Sequence, residues 1–310
     1  MGALFDRYVV VDWSASGSPA TGRDSIWIAT VDADGAHPDI RCSNPPTRRR
    51  AEDELAAATA DRSRRTLVAV DVSLGYPAGS AGWFGLEGDE PWRAMWCHLA
   101  GAVVDDDRNR NNRFEVAAAL NRRGGAAGPA PGPFWGRPAQ RPLDGLDARK
   151  PDRSPLPEFR RVEERLRSMG RRPASCWQLL GAGSVGGQSL TLIPVLWRLA
   201  VAVRAEVWPF TTGANTPMVP AGSVVVAETW PTGYDLELPI DRIRDEAQVE
   251  GVARRLCDAD EIGALAAWFS PELRPADRHV VESEEGWVLL PDGARGEAEH
   301  SLALPARLLR

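Results

Sequence analysis

The pattern of apolar and polar positions in the first 77 residues predicts three short strands, a helix and a fourth strand. Apolar, β-branched residues at 8–12 (YVVVD) lead into the turn formers Ser14, Ser16 and Gly17, and a second strand-like run covers 25–31. Asp34-Gly35, a dipeptide suited to a tight hairpin, precedes a weaker third strand at 40–42. RAEDELAAATA at 50–60 consists of strong helix formers. TLVAVDV at 66–72 reads as a strand buried on both faces and is ended by Gly75 and Pro77. The order β-β-β-α-β therefore carries an acid at the end of, or inside, its first and fourth strands.

The pattern then changes. From about residue 78 to residue 221 glycine and proline are frequent, as in GGAAGPAPGPFWGRP at 124–138. Helices are expected at 158–168 and 188–203. Trp92, Trp96, Phe134, Trp135 and Trp177 need a buried environment, so the stretch is expected to be an elaborate insertion and not a disordered linker. Regular alternation resumes with a strand at 223–228, helices at 245–256 and 260–269, and a closing hairpin formed by 279–282 and 287–290. The expected organisation is an α/β core from 1–77 and 221–310, with 78–220 inserted as a cap.

Charge alters this picture in one place. The 310-residue chain has a net charge of −6, yet residues 101–175 hold 16 Arg and Lys against 10 Asp and Glu. A basic segment on an acidic body suits local phosphate contacts better than a general attraction to nucleic acid. Lys150 is the single lysine, so chemistry that requires a lysine has one candidate. Cys42, Cys97, Cys176 and Cys257 lie far apart, without a C-x-x-C pair or a neighbouring histidine cluster, which argues against structural zinc and a disulfide scaffold. No signal-peptide-like run precedes Asp12, and the most apolar stretch, 190–203, is interrupted by Arg198 and short for a bilayer. A cytoplasmic location without membrane contact is expected, and oligomeric state is not legible.

Asp12, Asp71 and Glu228 each follow a run of β-formers and are expected at the carboxyl ends of strands, where ligands collect in open α/β sheets. An acid at such a place caps a helix, pairs with an arginine or holds a metal. Three of them in similar register, with Asp260 on a later helix, point to one shared site for a hard cation, Mg2+ or Mn2+.

The segments VVVDWS (9–14), VAVDVSLGYP (68–77), NRFE (112–115), VVVAETWPTGY (224–234) and DEIGALAAW (260–268) resemble an uncharacterised bacterial family of predicted RNase H-like nucleases, known as domain of unknown function 429. That resemblance implies a ribonuclease H-like mixed sheet flanked by helices. It further implies metal-dependent phosphoester hydrolysis, with Asp12, Asp71, Glu228 and Asp260 as catalytic metal ligands. The last segment is also similar to the D-x-x-D-A-L-A helix of RuvC-type junction resolvases, but Gly263 stands where the second acid belongs. One ligand of a two-metal set is thereby missing.

Other residues add to the expected site. Arg113 and Glu115 in NNRFEVAAALN are expected on a helix, as a solvated salt bridge or with Arg113 reaching a substrate phosphate. Ser14, Gly183 and Ser184 are further candidates for contacting substrate, a nucleic acid or a phosphorylated small molecule. Residues 181–186 fit G-x-G-x-x-G, but a weak strand precedes them and Glu206 begins a β-like run instead of ending one. Two other readings stay open: an actin-like ATPase or sugar-kinase-class phosphotransferase using the turn at 12–17 for phosphate, and a non-catalytic binding member of the same fold.

Overall fold

The computed structural model describes residues 2–33, 38–124, 132–181 and 184–291. β1 (Arg7–Asp12), β2 (Trp27–Asp32), β3 (Asp39–Ser43), α1 (Arg48–Thr59) and β4 (Thr66–Val70) follow in the expected order. Asp34-Gly35 lies outside the described residues. There follow α2 (Ser80–Trp83), α3 (Pro91–Ala102), α4 (Arg113–Gly124), α5 (Arg161–Ser168), α6 (Gly186–Val203), β5 (Glu206–Val207) and β6 (Val224–Glu228). The chain closes with α7 (Arg244–Glu261), α8 (Leu265–Trp268) and α9 (Pro275–Val280).

The protein is thus α/β, built on one mixed six-stranded sheet of order β3-β2-β1-β4-β6-β5. β1, β2 and β3 pair antiparallel, whereas β1, β4, β6 and β5 run parallel. The central strands have apolar residues on both faces because both faces are covered. On one face Val9, Val11, Val68, Val70 and Val226 meet α1, α3, α4 and α6. On the other, Tyr8, Val10, Leu67, Ala69 and Val225 meet α5, α7 and α8.

Residues 78–220, set apart in the sequence as a cap, contribute to both of these cores. Trp92, Trp96, Phe134 and Trp177 are buried, and Trp135 is partly buried against them. Phe134 packs edge-on against Trp177 with ring centroids 4.9 Å apart, and Phe84 stacks on Phe134 at 5.8 Å. Residues 190–203 belong to the longer α6, which by length and composition alone is apolar enough to cross a bilayer. Here α6 is a core helix, packed against α1, α3 and α4. All four cysteines are free.

Two expectations near the carboxyl end are corrected. The closing hairpin is absent. Pro275 opens α9, a π-helical turn continues it over Val281–Glu285, and the chain then runs beside β6 through a Leu289 N–H to Glu228 C=O bond of 2.8 Å. Helical capping decides this: Glu284 accepts hydrogen bonds from the amides of Gly79 and Ala81, which holds 281–285 coiled against α2. The expected helix at 260–269 is likewise divided. α7 ends at Glu261 and is closed off by Gly263, whose φ of +76° is costly for any other residue and whose amide is bonded to the Asp260 carbonyl at 2.9 Å.

Asp260 is therefore the last buried acid of α7, and it lies at the other end of the sheet from Asp12. Its carboxylate accepts from the amides of Leu4 and Phe5, both at 2.8 Å, and from the Tyr8 hydroxyl at 2.6 Å. It fastens the chain entering β1 to the end of α7 and does not join Asp71. Removing it leaves buried donors unsatisfied. Asp260→Ala is expected to lower unfolding free energy in urea by about 1–3 kcal/mol while divalent-cation binding stays unchanged. Loss of cation binding with unchanged stability would restore Asp260 as a ligand.

Candidate active site

Parallel register brings Asp12 and Asp71 together. Val11 of β1 lies opposite Val70 of β4, so the next residues, Asp12 and Asp71, are lateral neighbours where both strands end. The Asp71 amide continues the ladder to the Val11 carbonyl at 2.9 Å. Glu228 is one step out of line. It sits opposite Val70, and by strand alternation it belongs to the other side of the sheet, while Thr229 occupies the position beside Asp71.

These strand ends open into a cleft of about 700 Å³ whose walls include Asp12, Asp71, Glu228, Ser14, Arg113 and Ser184. Asp24 and Asp245 stand at its mouth, joined by a 2.7 Å bond from the Asp24 amide to the Asp245 carboxylate. Leu166, Pro173, Leu179, Leu180 and Trp230 form an apolar wall. Gly183 lies outside the described residues. Glu115 is not among the residues lining the cleft: it pairs with Arg141, and its second carboxylate oxygen is buried without a partner.

The three strand-end acids have different surroundings. Glu228 is engaged by Arg160, with Nη1 and Nη2 at 2.8 and 2.5 Å, and accepts from the Leu74 amide at 2.9 Å. The fully buried Arg160 guanidinium also binds Glu163 and donates to the Glu285 carbonyl at 2.9 Å. Burial pushes Glu228 above the ordinary carboxylate range, and the guanidinium opposes that push. Nothing in the sequence around Arg160 announces this role, because its partners lie 68 and 125 residues away.

Asp12 and Asp71, by contrast, accept no hydrogen bond or ion pair from any described residue. Burial, and then the charge of Glu228, push the Asp71 carboxyl up to about 7. Burial followed by the charges of Asp71, Asp245 and Asp24 moves Asp12 well above its ordinary value. Among the described residues, no group of three or more His, Cys, Asp and Glu side chains is placed to hold a metal ion. The four-carboxylate set expected from sequence is reduced to a pair, since Arg160 takes Glu228 and the amino end of β1 takes Asp260. A pair still fits one hard cation, because Mg2+ is commonly held by one or two carboxylates, with water and substrate oxygens filling the rest.

A second arginine shapes the mouth. Arg48, buried at the start of α1, donates to the carbonyls of Ser14 (3.0 Å) and Ser16 (2.8 Å), pairs with Asp105, and bonds the Asn109 carbonyl at 2.7 Å. It holds the loop after β1 against the segment before α4. The Ser14 hydroxyl is spent inside that loop, on the Ser16 amide and the Asp24 carbonyl.

No protein-family model matches this chain, and neither the curated proteins nor the solved structures contain a match to it.

Two measurements follow. Arg160→Met leaves Glu163 and Glu228 buried without a countercharge and should cost about 3–5 kcal/mol in urea unfolding; a near-neutral change would mean the pair is not buried as described. The pH dependence runs the other way from an ion-paired acid. A carboxyl that ionises less readily in the folded state keeps its contribution below the ordinary value of 3.8 and loses it as pH rises toward about 7. The melting temperature of metal-free protein should therefore fall across that window. Asp71→Asn should flatten the fall and melt several degrees higher at neutral pH. An unchanged slope in that variant would remove the raised Asp71 from the account.

Proposed function

We propose that the cleft hydrolyses a phosphoester with one divalent cation, Mg2+ or Mn2+, held by Asp12 and Asp71, on a ribonuclease H-like scaffold. The observation that carries this reading is the carboxylate pair itself: two neighbouring half-buried acids of like charge, with no donor among the described residues to offset them. Such a pair is stable in its charged form only with a cation. The scaffold reading is supported by three antiparallel strands joined through β1 to parallel β4 and β6, with the acids at the ends of β1 and β4.

A divalent cation bound there would supply Lewis-acid polarisation of a phosphoryl oxygen. Asp12 and Asp71 orient the ester by fixing where that oxygen is drawn. Water adds to phosphorus, the ester P–O bond breaks and the leaving oxygen takes a proton. Leu166, Leu179 and Trp230 limit the water reaching the site. Arg160 is shared between Glu163 and Glu228 and offsets only part of their charge, and the remaining charge of Glu228 acts on Asp71. The phosphotransferase reading is less well supported, because the Ser14 and Ser16 hydroxyls are committed to their own turn.

Calorimetric titration with Mn2+ tests the proposal. Wild-type protein is expected to bind one ion, Asp71→Asn none, and phosphodiester hydrolysis should follow the same order. Stabilisation by ATP with Mg2+, without hydrolysis of a phosphodiester, would favour the phosphotransferase. An absence of cation binding by the wild type, with and without a phosphate ester present, overturns both.

A further inference from the structure

Arg113 is a buried cation of the cleft whose guanidinium lies over the Phe114 ring, 4.2 Å from its centroid, and is not matched by an acid of its own among the described residues. It is 8% exposed, its Nε is buried without a hydrogen-bond partner, and no ion pair to it is found among the described residues. Among the described residues, the one hydrogen bond from the guanidinium goes from Nη1 to the neutral Asn111 side chain at 2.9 Å. The acids that act on it most, Asp105 and Glu115, already have arginine partners, Arg48 and Arg141. Burial, reinforced by Arg48, lowers its pKa to about 10. Burying an unpaired cation costs free energy unless something supplies the countercharge.

It faces the amino end of α6. Arg113 Nε lies against Gly187 in the first turn of α6, where a Cβ would stand 3.2 Å from Nε and 2.8 Å from the Leu179 carbonyl oxygen. The Leu179 backbone is what requires glycine here, and the guanidinium packs against the space that a Cβ would take. No side chain caps this end of the 18-residue helix. Amides of a first turn have no acceptor within their own helix and favour negative charge; here the Gly186 amide is taken by the Gln178 carbonyl at 3.0 Å, and that of Gln188 has no acceptor among the described residues. Ser184 and Val185 line the same cleft, and the Gln188 side chain is tied to the Trp13 carbonyl, which keeps the corner in shape.

We infer that the corner formed by Arg113 and the amino end of α6 is a seat for a phosphate carried by the substrate, and that this substrate is a small phosphorylated molecule of about nucleotide size. The class follows from the rest of the cleft. Its volume of about 700 Å³ lies within the ~300–1,000 Å³ of small-molecule pockets, and its apolar wall suits a base or another flat organic group. The inference deepens the hydrolase reading and rests on it for the reaction, though not for the binding.

The test is calorimetric titration with inorganic phosphate and with a nucleoside monophosphate, each with and without Mg2+, on wild type, Arg113→Gln, Arg113→Lys and Asp71→Asn. Arg113→Gln is expected to weaken phosphate binding roughly 10- to 100-fold, the usual range for losing a charge-assisted hydrogen bond. Arg113→Lys should recover part of this, and the melting temperature of Arg113→Gln should be unchanged or higher, since it removes a buried unpaired charge. The monophosphate should bind more tightly than inorganic phosphate, and a duplex oligonucleotide should not compete with it. Equal binding by wild type and Arg113→Gln, or a collapse in the stability of that variant, overturns the seat. Competition by the duplex overturns the small-molecule assignment. Mn2+ binding without Arg113-dependent phosphate binding leaves the hydrolase and removes the seat; the reverse result keeps the seat and removes the hydrolase.

Discussion

Arg160 is a cation with no access to water, and two remote parts of the chain join its own segment around it. It is joined to Glu163 at the start of α5, to Glu228 at the end of β6 and to the backbone at Glu285. In a low-dielectric interior a guanidinium must have its donors matched and its charge offset, and these partners do both. Gly75 reinforces the same junction from the other side, since a Cβ there would stand 2.4 Å from the carbonyl oxygens of Glu284 and Glu285. The number of free carboxylates in the cleft is a consequence of where Arg160 lies.

The sheet was legible because it depends on local signals. Runs such as YVVVD and TLVAV carry the β-branched, continuous apolar character of strands buried on both faces, and turn formers mark where they stop. Asp12 and Asp71 were legible for the same reason, being the first polar residues where those runs end. What failed was everything that needed distant partners. Asp260 looks like a site acid by spacing, but its partners are amides some 255 residues earlier in the chain. Glu228 has the same strand-end signature as Asp71, and only the register with Val70, one residue off, separates their fates. The stretch 279–290 alternates like a hairpin, yet the single Glu284 carboxylate, bound to the amides of Gly79 and Ala81, keeps its first part helical. Arginines are abundant here, so composition could not distinguish Arg48, Arg113 and Arg160 from solvated neighbours.

The loops around the cleft are joined by polar contacts instead of apolar packing. Asn109, in a left-handed conformation with φ of +64°, accepts from the Arg48 amide at 2.8 Å and donates to the Ser18 carbonyl at 3.2 Å. Together Arg48 and Asn109 bind the segments near 14–18, 46–48 and 105–109 into one unit. Because α4 follows directly, the same contacts set where Arg113 starts its reach toward α6. The geometry of both sides of the cleft thus descends from two buried polar residues that touch neither reacting carboxylate.

Thr229 occupies the sheet position that would complete a row of three with Asp12 and Asp71. Its hydroxyl donates to Tyr234 at 2.9 Å, and Tyr234 passes the chain of hydrogen bonds to the Leu289 carbonyl at 2.6 Å. A neutral relay therefore stands where a third charge would stand, and the acid nearest to that role, Glu228, faces a permanent internal counterion. The arrangement sets a ceiling on local charge: a single-residue shift of β6 along its neighbours would exchange a hydroxyl for a carboxylate and turn a two-acid floor into a three-acid one. Seen this way, the strand register acts as a count of charges, fixed by backbone pairing before any ligand arrives.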